Sequence, residues 1–157
     1  MKNNWIKIII IVCCLFLIVG CDNKQNNNQV TENKTDNNIE KENNKMIITI
    51  NNKEYEIILE DNPTTNKLME LLPIDIKMSD LNENEKYVYM NDTFPTDEKP
   101  VKDINKGDVM LYGDNCLVIF YKSFKTSYSY TRIGHIKDLE DLTNDSIIVK
   151  LRKENNK

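Results

Sequence analysis

The chain has 157 residues, four cysteines and a single histidine, and its 25 acids outweigh 21 bases to give a net charge of −4. That length holds one compact domain once the polar ends are set aside, and not two. The acidic balance speaks against a nucleic-acid partner, which calls for a basic stripe, and one histidine with one cysteine in the body of the chain leaves no zinc ligand set.

The first residues, Met-Lys-Asn-Asn-Trp-Ile-Lys, carry two lysines and no acid, and the apolar run Ile8–Gly20 follows them. This is the charged and apolar pattern of a secretory signal. The run falls short of the roughly 20 apolar residues that span a bilayer. It ends in "LIVGC", with small Gly20 directly before Cys21, and so resembles the bacterial lipobox. The resemblance implies cleavage after Gly20, a lipid on Cys21, and a mature protein held on the extracytoplasmic face of the cell membrane. Two acyl chains hold such an anchor firmly where one holds only marginally.

From Asp22 to Lys45 the sequence is almost entirely Asn, Lys, Glu, Gln, Asp and Thr, with only Val30 and Ile39 apolar. Such a stretch buries too little surface to offset its chain entropy, so a disordered leash is expected. The domain is then expected over 46–157. Cys13 and Cys14 leave with the signal and Cys21 carries lipid, so Cys116 is the one thiol of the domain and reads as a small buried hydrophobe.

The domain opens with "MIITI" and "NNKEYEIIL", two β-branched strands joined by a turn at Asn51, Asn52 and Lys53. Asn62 as N-cap, Pro63 in the first turn and Pro73 as a stop predict a short helix, with Leu68, Leu71 and Leu72 on its apolar face. "IDIKM" alternates, so Ile74, Ile76 and Met78 face one way and Asp75 and Lys77 the other. Polar "SDLNENE" leads to "KYVYM" and a long loop from Asn91 to Lys106. Then "GDVMLY", a turn at "GDN" and "CLVIFY" form the clearest hairpin, apolar on both faces as a covered sheet requires. "YSYTRIGHI" is a further strand, "DLEDL" a turn or short helix, and "SIIVKL" the closing strand. Many short strands with a helix or two predict a mainly β barrel or sandwich with capping helices.

Several of these stretches together, "DNPTT", "LMELLP", "KMSDLNENEKY", "KGDVMLYGDN" and "LVIFYKSFKTSYSYTRIGHIKDLEDL", resemble the bacterial cyclophilin-like domains. The resemblance covers about residues 47–151 and implies a closed β-barrel capped by one or two short helices. It does not carry the catalysis of true cyclophilins across. Those isomerases place an arginine in a Phe-His-Arg-type motif in the first half of the barrel, whereas "EKYVYM" at that position has none. After Cys21 the only arginines are Arg132 and Arg152.

The remaining chemistry gathers in "FYKSFKTSYSYTRIGH", Phe120–His135. On a regular strand Tyr128, Tyr130 and Arg132 share one face and His135 takes the other, so Arg132 and His135 point apart unless Gly134 marks a bulge. Arg132 either pairs with an acid such as Asp108 or Glu85, or offers its donor fork to a ligand beside aromatic rings. Phe120 reads as core and Tyr121, on the opposite face, as a cleft residue. The candidate ligand-binding set is therefore Tyr121, Tyr128, Tyr130 and Arg132. The acids of "DLEDLTND" lack the spacing of a calcium loop, and no metal or cofactor is expected.

These readings give a membrane-tethered binding module for a peptide or small ligand as the first expectation. A divergent peptidyl-prolyl isomerase acting on secreted chains is the second.

Overall fold

Asn51 and Asn52 both take positive φ, 51° and 64°, and turn β1 (Met46–Ile50) back onto β2 (Lys53–Leu59). Asparagine tolerates this left-handed region better than most residues, which is why the pair suits a tight hairpin. The structure is a computed structural model that describes residues 45–154. The expectations of a signal, a lipidated Cys21 and a leash fall on 1–44, outside the described residues.

Next comes the one helix among the described residues, α1 (Pro63–Glu70). Its N-cap is Asn62, whose side chain accepts from the Thr65 amide at 2.9 Å, and Pro63 occupies the first turn. Leu68 and Met69 are buried, while Leu71 and Leu72 pack partly buried against the same core. The "DLEDL" segment forms no helix; it passes as a turn that buries Leu139 and Leu142.

β3 (Ile74–Leu81) is longer than its alternating start, because Asn82 and Glu83, both at φ 54°, fold it into a hairpin with β4 (Glu85–Tyr89). The polar run "SDLNENE" is thus strand and turn. The expected loop 91–106 contains the short strands β5 (Lys99–Pro100) and β6 (Asp103–Ile104). β7 (Asp108–Tyr112) and β8 (Cys116–Phe120) form the expected hairpin about Gly113. Then follow β9 (Phe124–Lys125), β10 (Ser129–Ile136) and β11 (Ser146–Lys153).

The sheet order is β2-β1-β11-β3-β4-β8-β7-β10, and β10 pairs again with β2. All these pairings are antiparallel, so eight strands close into a barrel. Closure removes the open edges that would otherwise template association.

Alternation divides the apolar side chains between two cores. Ile48, Ile57, Val109, Leu117, Ile119, Ile133 and Val149 fill the barrel, and α1 adds Leu68. Met110, Cys116, Val118, Phe120 and Tyr130 point outward from β7, β8 and β10 into a second cluster with Val101 and Ile104. This is why the β7–β8 hairpin is apolar on both faces: the strands of the long loop cover its outside.

Barrel closure rests on β10. Its register with β7 shifts between Arg132 and Gly134, leaving Ile133 as a bulge residue. Gly134 opposes Leu59 of β2, and a Cβ there would lie 2.5 Å from the Ile58 carbonyl oxygen. Only glycine lets the two backbones approach this closely. Gly134→Ala is expected to cost about 2 to 3 kcal/mol, the upper part of the usual range for single substitutions, read as a lower urea midpoint.

Candidate functional site

Strand alternation on β4 sends Glu85, Tyr87 and Tyr89 outward and Lys86 and Val88 inward. Their neighbours across the ladder are Phe120, Val118 and Cys116 of β8. The outer row continues through Tyr112 of β7 to Tyr130 of β10, whose rings lie 5.6 Å apart. Tyr128, just before β10, stands edge-on to Tyr112 at 5.9 Å, and Tyr87 meets Tyr89 edge-on at 6.0 Å. Together these five tyrosines line an open groove of about 420 Å³. Val118 and Cys116 also line it, Phe124 and Thr126 come from the segment around β9, and the β3–β4 turn brings Asn84 and Glu85.

Three of the rings are open to solvent, Tyr89 at 65%, Tyr112 at 45% and Tyr128 at 59%. Exposed aromatic faces clustered around a concavity are unusual on a soluble surface and mark interaction sites. The polar content is concentrated at the β3–β4 end. Burial, and then repulsion from Asp80, push the Glu85 carboxyl up to about 7. No hydrogen bond or ion pair holds its side chain among the described residues. Asn84, its neighbour in sequence, has a buried carbonyl oxygen, Oδ1, without a donor. Burial and the Glu85 charge raise Tyr130 to about 12, and the same two causes raise the Cys116 thiol. Cys116 is therefore a buried, protonated thiol on the groove wall.

The four residues expected to line one cleft are distributed over three places. Tyr128 and Tyr130 line the groove. Arg132 lines a separate, more polar depression with Glu60, Asp97 and Lys99, touched by Tyr130 on its other side. Tyr121 belongs to neither: it is buried at 2% in the barrel core. It does lie on the face opposite Phe120, but that face is the barrel interior.

Inside the barrel Tyr121 joins a polar plug. Its hydroxyl donates to Asp80 Oδ2 at 2.6 Å, and the Lys86 ammonium reaches the same oxygen at 2.6 Å and also donates to the Asn144 carbonyl. The Lys86 side chain is 0% exposed, and its Nζ stands 5.0 Å from the Tyr121 ring centroid. Burial opposes the charge on Asp80, but the hydrogen bonds from Lys86 and Tyr121 hold it below the usual carboxylate range. Burial and the bond to Asp80 push the Tyr121 hydroxyl up.

Nor do Arg132 and His135 point apart. The bulge at Ile133 resets the alternation, and both reach Asp108: His135 Nδ1 lies 3.0 Å from Oδ1 and an Arg132 nitrogen 3.6 Å from Oδ2. Asp108 is itself buried and accepts from the Asn105 amide at 3.0 Å. Asp108 is thus the acid that pairs with Arg132, one of the two partners expected.

Tyr87, Tyr89 and Tyr112 complete the groove without having been singled out in the sequence, and Glu85, named there only as a possible partner of Arg132, joins them. The signal was present: Glu85, Tyr87 and Tyr89 repeat with period two in "EKYVYM".

Residues 48–154 match a family model described as the cyclophilin-like family. The chain belongs to the cyclophilin-like family. No curated protein matches it in sequence. Its barrel is similar to the solution structure of a hypothetical protein from Archaeoglobus fulgidus, with a TM-score of 0.51 at 18% identity, covering 71% of this chain and 95% of that one. At that identity the likeness speaks for a shared fold alone.

The buried plug yields a test. Asp80→Asn leaves the Lys86 ammonium inside the barrel without its counter-charge, and is expected to cost about 3 to 5 kcal/mol. Adding Lys86→Met to Asp80→Asn is expected to recover part of that loss. Urea denaturation of the three forms measures both effects.

Proposed function

We propose that this protein is a membrane-anchored extracytoplasmic lipoprotein whose cyclophilin-like barrel holds a peptide or a small ligand in the tyrosine groove. The observation that carries the ligand-binding half is the groove itself, five tyrosines around one concavity with three rings exposed. Flat rings that keep a polar hydroxyl bind extended chains and small organic groups at little cost in side-chain entropy. The anchoring half rests on the charged start, the apolar run to Gly20 and Cys21 in "LIVGC".

Isomerase activity is the second reading, and the groove offers it less. Catalysis of rotation about a prolyl bond needs a donor at the twisted amide, and the arginine nearest the groove, Arg132, lines the neighbouring depression and faces Asp108.

Short Xaa-Pro peptides added to the isotope-labelled protein test both readings. The expected result is chemical-shift change at Tyr89, Tyr112 and Tyr128 without cis/trans exchange cross-peaks. Exchange cross-peaks that vanish in Arg132→Ala would establish the isomerase instead. For the anchor, labelled palmitate fed to expressing cells is expected to mark the wild-type chain and not Cys21→Ala, and the variant is expected to leave the membrane fraction.

A further inference from the structure

An unpaired carboxylate at the edge of an aromatic groove is an incomplete electrostatic arrangement. Glu85 is half-buried, its side chain has no cationic partner among the described residues, and the charge that acts on it, that of Asp80, is repulsive. Beside it Asn84 Oδ1 is another acceptor without a donor. Beside Leu81, Cys116, Val118 and Thr126, much of the remaining wall is aromatic, with Tyr112 and Tyr128 set at 85° and Tyr112 and Tyr130 at 54°. Differently tilted rings present several negative π faces to one volume, and a cation is attracted to each. No lysine or arginine of the described chain lines this groove.

We infer that the groove selects an organic ammonium ion, its positive nitrogen held among Tyr112, Tyr128 and Tyr130 and balanced by the carboxylate of Glu85. This rests on the groove being a ligand site and names the chemistry of its ligand. An alkylammonium fits better than a metal ion, because among the described residues no group of three or more His, Cys, Asp or Glu is placed to hold a metal. Two sources carry the required group: a small free cation and a lysine side chain.

Calorimetric titration of the purified full chain in a nonionic detergent at pH 8, where Glu85 is ionised, separates them. The probes are choline, its neutral isostere 3,3-dimethylbutanol, acetyl-lysine amide and the uncharged acetyl-norleucine amide. At least one ammonium probe is expected to bind tenfold or more tighter than its neutral counterpart. Glu85→Gln, which keeps the shape and removes the charge, is expected to abolish most of that preference, and Tyr128→Leu to weaken it several-fold. Tighter binding of choline assigns the site to a free cation, and tighter binding of acetyl-lysine amide assigns it to a peptide side chain. Equal binding of charged and neutral members, or a preference that survives Glu85→Gln in a variant with unchanged circular dichroism, overturns the inference. If proline peptides still shift the tyrosine resonances in that case, the groove remains a ligand site of another chemistry. If nothing binds, both readings fall together.

Discussion

The fold depends on one irregularity in β10, the bulge at Ile133. At this bulge the start of the helix meets two carbonyls of β10. Asn62 donates its side-chain amide to the Arg132 carbonyl at 2.8 Å, and the Thr65 hydroxyl donates to that of Ile133 at 3.2 Å. The Glu60 amide reaches the Ile133 carbonyl as well, at 2.9 Å. One extra residue therefore docks the cap of α1, lets Gly134 pass against β2 to close the barrel, and turns Arg132 and His135 onto Asp108. The Ile133 carbonyl thus takes two donors, one from the residue after β2 and one from α1, and ties both to the bulge.

Closure in turn creates two unlike surfaces on the same strands. The inner row of β4 and β8 ends in a charged plug, where Lys86, Asp80 and Tyr121 satisfy one another. The outer row, Glu85, Tyr87 and Tyr89 with Cys116 and Val118, is covered only in part by the loop strands, and the uncovered part is the tyrosine groove. The contrast between Lys86 and Glu85 follows from this division. Adjacent in sequence and opposite in charge, they stand on opposite faces of the sheet, and among the described residues only Lys86 finds a counter-ion.

Membership of the cyclophilin-like family fixes the barrel and leaves the ligand open, because a fold hosts whatever chemistry its surface residues provide. Here those residues are tyrosines and one acid. Arg132 is committed to the Asp108 cluster and contributes to the neighbouring polar depression.

Much of the architecture was legible in the chain because it is local. The Asn51-Asn52 turn, the Asn62 cap with Pro63, the alternation of Ile74, Ile76 and Met78, and the β7–β8 hairpin each depend on residues a few positions apart. The sequence by itself also determined Phe120 as core and Asp108 as one of two partners open to Arg132. Tertiary structure alone decided which side of β8 faces the barrel, and so moved Tyr121 from cleft to core. It decided the bulge, since glycine permits a kink without requiring one and the docking of β2 and α1 selects it. It brought Tyr87, Tyr89, Tyr112, Tyr128 and Tyr130 from three barrel strands and a loop into one groove. Period two says which residues share a face, but only closure of the barrel says whether that face looks into the core or away from it.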